Sequence, residues 1–117
     1  MPYIITTTYQ RRPGPLGTDL LSRHAVATLD EAREYAWETV KQISGPSTAT
    51  VANRAACESI TERGGTIGPL PDGTMIEVKP VSWPWIVGVA EDKGLDTELL
   101  YDEGGDLAIL AALNEVL

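Results

Sequence analysis

Cysteine and histidine are almost missing from this sequence, and phenylalanine is missing altogether. The 117 residues contain one cysteine, Cys57, and one histidine, His24. A disulfide within the chain is therefore impossible, and a transition-metal site built from thiolate and imidazole ligands is not expected. We predict no metal site and no cofactor.

A catalytic set is equally hard to assemble from the residues present. Cys57 lies in an alanine-rich helical stretch, where a small buried thiol is the favoured interpretation over a nucleophile. The densest carboxylates do not follow the alternating ligand pattern of a calcium-binding loop. They are Asp96, Glu98, Asp102, Glu103 and Asp106. We therefore expect a protein that is not an enzyme, with a small carboxylate-based hydrolase kept as an alternative.

Long apolar runs are also missing, since no stretch approaches the roughly 20 residues that cross a bilayer. The sequence begins Met1-Pro2-Tyr3-Ile4-Ile5, which lacks the basic and apolar regions of a signal peptide. We expect no membrane association and a cytoplasmic location.

Positive charge is scarce, with 9 lysine and arginine residues against 17 aspartate and glutamate residues and a formal net charge of −8. Such a surface repels a phosphate backbone, so nucleic acid is not a predicted partner. The same charge suits a basic protein partner. It leaves open an alternative function as an acidic DNA mimic that inhibits a nucleic-acid-binding enzyme.

The first half of the chain has clear local signals. The β-branched run Tyr3–Tyr9 predicts a strand, and Ser22–Thr28 predicts a second, antiparallel strand. Thr28 and Glu31 have the spacing of a capping box, which begins a helix that ends near Ser44 before Gly45-Pro46. A second helix is predicted from Ser47 or Thr48 to about Arg63, packed against the first.

The second half begins with a hairpin and ends in helices. Thr66–Leu70 and Thr74–Lys79 flank a turn in which proline presets φ and aspartate bonds back to the backbone. Ser82 is predicted to cap a helix to about Lys93. The acidic stretch 95–105 is predicted to be irregular, and Asp106 to cap a last helix ending at Leu117.

These elements predict an α+β fold in a single domain, 1–117. We expect an antiparallel sheet of about four strands with the central helix pair on one face. Residues 1–82 form a β-β-α-α-β-β unit, and residues 83–117 are a helical, acidic extension that completes the core or forms an interface.

Three features predict contact with a partner. Trp83 and Trp85, separated by one residue, cannot easily share one buried helix face, so one is a candidate interface anchor. The C-terminal helix is apolar nearly all round, which predicts burial against a partner protein or a second copy of the chain, or else complete burial within the domain. Its candidate contacts are Leu107, Leu110, Leu113 and Leu117. Arg11 and Arg12, in an N-terminal loop, are candidates for contact with an anion or an acidic partner.

Two stretches, Ser22–Arg33 and Gly64–Val78, resemble small uncharacterised proteins encoded by bacteriophages of actinobacteria. The resemblance covers about residues 3–82, and its motifs are turns and helix caps. It implies a phage protein acting in the host cytoplasm and carries over no catalytic residue. Together with the missing catalytic set, it leads us to expect a binding or regulatory module that acts on a host protein.

Overall fold

The computed structural model describes residues 1–10, 18–44, 51–70 and 72–117. Within them, four strands and four helices follow the order β-β-α-α-β-β-α-α. Their bounds are β1 Tyr3–Gln10, β2 Thr18–Val26, α1 Leu29–Ser44, α2 Val51–Glu58, β3 Gly65–Ile67, β4 Thr74–Pro80, α3 Trp83–Asp92 and α4 Thr97–Val116. The predicted α+β fold is confirmed.

The strands form one antiparallel sheet in the order β2-β1-β4-β3. On the central strand β1, Ile4 lies between Ala25 of β2 and Lys79 of β4. Successive side chains of a strand point to opposite faces. Tyr3 and Ile5 therefore face one side of the sheet, and Ile4 faces the other.

Helices α1 and α2 pack on the first face, as the sequence predicted. Tyr3 and Ile5 meet the apolar stripe of α1 there, in a core that excludes water almost completely. The buried members of this first cluster are Tyr3, Ile5, Val26, Ala32, Ala36, Val40, Cys57, Ile60, Ile67, Leu70, Ile76 and Val78. The period-two pattern of β4 explains why Ile76 and Val78 lie here while Glu77 and Lys79 do not.

Helices α3 and α4 pack on the opposite face and complete a second core. Its buried members are Ile4, Ala25, Ile86, Ala90, Ile109, Leu110 and Leu113. The sheet is therefore covered by helices on both sides, but unequally. Around Thr6, the second face borders a cavity.

The cap of α1 differs in one contact from its predicted form. The Glu31 backbone N–H donates to Oγ1 of Thr28 at 3.2 Å, as expected. The Glu31 carboxylate, however, accepts from the Thr28 hydroxyl at 3.1 Å rather than from the Thr28 amide. Both contacts stay within the first turn, so the helix still begins where predicted.

Helix α2 ends at Glu58, five residues before the predicted end at Arg63. Its predicted start at Ser47 or Thr48 lies outside the described residues. The chain leaves the helix because Ile60 turns into the first core, where it is 3% exposed. The Ile60 carbonyl then accepts a hydrogen bond from Nε of Arg33 at 2.9 Å.

The prediction of an irregular stretch over 95–105 is wrong, because α4 begins at Thr97. Asp96 caps it by accepting from the Leu99 N–H at 3.1 Å. Gly105, with φ 71° and ψ −156°, then breaks the helix into two segments. A positive φ of this size is available to glycine at little cost. No helix in the described ranges is both long and apolar enough to cross a membrane.

The outer edge of β2 is closed at one point by a side chain from α4. The Ala25 N–H donates to Oδ1 of Asn114 at 2.7 Å, and Nδ2 of Asn114 donates to the Ala25 carbonyl at 2.8 Å. Nearby, the β1–β2 register shifts between Thr7 and Thr8. Both features limit the pairing of this edge with another strand.

Candidate binding cleft

The structure divides the predicted contacts of the C-terminal helix between core and surface. Leu110 is 7% exposed and Leu113 is fully buried, both in the second core. The prediction that these two side chains contact a partner is wrong for the folded protein, because they cover the sheet around Ile4. Leu107 and Leu117 are exposed, so their contact with a partner stays a prediction.

The two tryptophans also have different surroundings. Trp83 packs against the second core and is half-buried. Trp85 is 45% exposed, which is unusual for the largest apolar side chain. Arg11 and Arg12, the other predicted contacts, lie outside the described residues.

Trp85 lies at a cleft of about 480 Å³ between α3 and the second face of the sheet. Its strand side is formed by polar and charged residues around Ile4. Its helix side carries Trp85. The lining residues are Ile4, Thr6, Arg23, Glu77, Lys79, Pro80, Val81, Ser82, Trp85, Val89, Lys93 and Leu117.

The register of three strands determines the strand side of the cleft. Thr6 of β1 lies between Arg23 of β2 and Glu77 of β4. Neighbouring strands are about 4.8 Å apart, so the backbones of Arg23 and Glu77 are separated by roughly 10 Å. Two residues further along β4, Lys79 lies beside Ile4 of β1. The sheet thus holds one cation on each side of β1, Arg23 on β2 and Lys79 on β4.

The start of α3 fixes the position of the indole. Ser82 is the N-cap, with extended backbone angles, and its hydroxyl accepts from the Trp85 N–H at 3.1 Å. Pro84 occupies the first turn, where a missing N–H costs nothing. The backbone that carries Trp85 is therefore held before any ligand binds.

The rest of α3 extends the helix side of the cleft. Trp85, Val89 and the C-cap residue Lys93 follow one another at intervals of four, which places them along one side of the helix. Ile86 and Ala90, one position further round, are fully buried against the sheet. This buried pair sets the rotation of the helix and so directs the Trp85 row toward the cleft.

The charge of the cleft is opposite to that of the protein. Arg23, Lys79 and Lys93 line it together with one carboxylate, Glu77, so its side chains carry a formal +2 in a chain of −8. None of these three cations forms an ion pair or a side-chain hydrogen bond with another described side chain. Their charges remain available to a ligand.

The two candidate nucleophile or base residues lie away from the cleft. His24 stacks on Tyr35 at 4.1 Å between ring centroids. Burial lowers the pKa of His24, and the nearby Glu31 carboxylate partly opposes this effect. Cys57 is 1% exposed, and burial raises the pKa of its thiol to about 11. A thiol with that pKa stays protonated at neutral pH and is a poor nucleophile.

The acidic residues of the second half lie along α4 and its cap. Glu98, Asp102 and Asp106 border a second, shallower depression beside Tyr101. In the described part of the chain, no group of three or more histidine, cysteine, aspartate or glutamate side chains is arranged to hold a metal ion. Asp96 is used as the helix cap.

Sequence reasoning missed the cations of the cleft. Lys93 could have been found from its spacing with Trp85 and Val89 on one helical face. Arg23 and Lys79 could not, because their proximity depends on β1 lying between β2 and β4. No protein-family model, curated protein or solved structure matches this chain.

Proposed function

We propose that this protein is a non-enzymatic binding module that acts on another protein through the cleft, with Trp85 as the anchor. The observation that carries the proposal is an indole 45% exposed beside a concave site, on a backbone held by Ser82 and Pro84. Tryptophan in such positions often supplies a large share of binding energy at protein interfaces.

The composition of the cleft favours binding over catalysis. Hydrolysis by carboxylates generally uses two such groups on opposite sides of the scissile bond. The cleft has one, Glu77, and its other charged residues are cations. A volume of about 480 Å³ accommodates one or two side chains of a bound segment.

The resemblance to actinobacterial phage proteins supports a partner in the host cell. A phage protein that binds a host protein in the cytoplasm needs a stable scaffold and one specific surface. The two cores supply the scaffold here, and the cleft supplies the surface.

A second candidate function, inhibition of a nucleic-acid-binding enzyme by charge mimicry, is favoured by the acidic surface of α4. Glu98, Asp102 and Glu103 are all exposed on its first segment. This function predicts binding that depends on these carboxylates and is indifferent to Trp85.

Co-purification with matched variants tests the proposal. The affinity-tagged full chain is expressed in an actinobacterial cell, and proteins recovered with it are quantified by mass spectrometry. Trp85→Ala removes the anchor. Tyr101→Ala is the matched control, because Tyr101 is 58% exposed and lies outside the cleft.

We expect one stoichiometric partner with the unmodified protein and with Tyr101→Ala. Trp85→Ala should weaken its binding by about 2 kcal/mol or more, which is roughly 30-fold. Equal recovery with Trp85→Ala contradicts the proposed site. Recovery that instead depends on Glu98, Asp102 and Glu103, replaced together by glutamine, supports charge mimicry. Recovery of the protein alone rejects both functions.

A further inference from the structure

The cleft concentrates positive charge on a protein that is otherwise acidic. The described residues include seven lysines and arginines, and three of them, Arg23, Lys79 and Lys93, line this one site. The other four are positioned differently: Arg33, Lys41 and Arg54 pair with carboxylates of their own helices, and Arg63 lies in the turn after α2. The unpaired cations are thus mostly in the cleft.

The cations are spaced for a ligand with several separated negative groups. The backbones of Arg23 and Lys79 lie roughly 10 Å apart across the sheet and two residues apart along it, which makes roughly 12 Å in all. Lys93 is eight residues from Trp85, or about 12 Å along α3. In an extended peptide, side chains on the same face recur about every 7 Å. Carboxylates two to four residues apart therefore reach two of these cations at once.

The cleft also has apolar lining residues. Ile4 is 7% exposed, and Val89 and Trp85 lie along the helix side. A simple inorganic anion would contact the cations and leave these surfaces unused. The arrangement fits a ligand with an apolar group between its charges.

From this complementarity we infer that the cleft binds a short acidic segment of a partner polypeptide, with one apolar side chain held against Trp85. The inference rests on the proposed function and names the chemistry of the segment. Because the cations are exposed, their pairing with carboxylates contributes mainly to association rate and specificity, and Trp85 supplies most of the affinity.

A nucleic acid fits the cleft less well than a short peptide. A strand of phosphates would extend beyond the cleft onto a surface that accounts for the net charge of −8. Screening at physiological salt reaches only about 8 Å, so phosphates close to that surface are repelled. A short peptide places its carboxylates within the cleft and nowhere else.

Selection from a library of short random peptides tests the inference with the full chain as the target. The enriched peptide is then synthesised and labelled, and its Kd is measured by fluorescence polarisation. The variants are Lys79→Glu, the milder Lys79→Gln, Trp85→Ala, and Arg63→Glu as control. Arg63→Glu changes the net charge as much as Lys79→Glu but outside the cleft lining. Circular dichroism checks that each variant is folded.

We expect enriched peptides with acidic residues on both sides of an apolar one. Lys79→Glu should raise Kd about tenfold, Lys79→Gln less, and Arg63→Glu by at most about twofold. The affinity should fall with rising ionic strength. Enrichment of neutral or basic peptides, or the absence of any enriched peptide, overturns the inference. So does a Kd that is the same for Lys79→Glu and the unmodified protein.

Competition binding and analytical ultracentrifugation test two other occupants of the cleft, a phosphate-bearing ligand and a second copy of the chain. If a single-stranded oligonucleotide or ATP displaces the labelled peptide at a lower concentration than the unlabelled peptide does, the cleft binds phosphate ligands. Self-association that Lys79→Glu abolishes would assign it to a second copy. Either result overturns the inference. If Trp85→Ala releases the co-purified partner while Lys79→Glu does not, the acidic segment is wrong and the binding module stands.

Discussion

Replacing Asn114 by alanine removes the two side-chain hydrogen bonds that join α4 to the outer edge of β2. Both bonds go to the backbone of Ala25, at 2.7 and 2.8 Å. Ala25 is 1% exposed, so water cannot easily replace the lost partners. The substitution therefore leaves a buried N–H and a buried carbonyl unpaired.

The expected loss follows from the cost of such groups. Each buried, unpaired backbone group costs about 1–3 kcal/mol, and alanine recovers about 0.6 kcal/mol through its higher helix propensity. Two such groups together cost about 2–6 kcal/mol, so Asn114→Ala should lower the free energy of unfolding by about 1.5–5.5 kcal/mol. For a domain of this size, that corresponds to a fall in Tm of roughly 6–22 °C.

Urea unfolding, followed by tryptophan fluorescence, measures this loss. Glu115→Ala is the control, because Glu115 is exposed on the same helix and should change stability by less than about 0.5 kcal/mol. Hydrogen exchange at the Ala25 amide should become faster in Asn114→Ala alone. A stability within about 0.5 kcal/mol of the unmodified protein, or unchanged exchange at Ala25, would refute the reasoning.

Two further predictions concern stability. Because the pKa of His24 is lowered in the folded protein, the unfolded chain binds this proton more tightly. The free energy of unfolding should therefore keep its full value above pH 6.5 and decrease as the pH falls from 6.5 toward the folded pKa. His24→Phe keeps a ring for stacking and should flatten that slope in urea unfolding between pH 7.5 and about 5.5; an unchanged slope would assign it to another group. Gly64→Ala should destabilise the protein by more than about 2 kcal/mol, because φ is +88° and the added Cβ would lie 2.2 Å from the Val78 carbonyl oxygen. Gly88→Ala, with open space at its Cβ in mid-helix, should instead stabilise by about 0.5–1 kcal/mol, and thermal unfolding of both variants checks the contrast.

Local signals in the sequence predicted most of the fold because their partners are close in the chain. The Thr28 and Ser82 caps each join residues three apart. In the β3–β4 turn, Asp72 accepts from the Thr74 N–H at 3.0 Å, as predicted. Such contacts form with little dependence on the rest of the molecule, so a pattern of a few residues is enough to identify them.

The cleft depends on contacts that no local pattern encodes. Arg23 and Lys79 line the same cleft only because β1 lies between their strands, and α4 is joined to β2 by a hydrogen bond across 89 residues. The apolar sequence of α4 led to a wrong prediction of partner contacts for the same reason. Leu110 and Leu113 are covered by the second face of the sheet, which only the assembled fold provides.

The central position of β1 has a consequence for synthesis on the ribosome. β1 is made before its neighbour β4, and the helix that closes the outer edge of β2 ends at Val116. At about 5–20 residues per second, the 89 residues between Ala25 and Asn114 take roughly 5–20 s to synthesise. For that interval the outer edge of β2 lacks its Asn114 contact, and until β4 has been made one edge of β1 is unpaired as well. The two-sided packing of the sheet therefore forms only after α4 has left the exit tunnel.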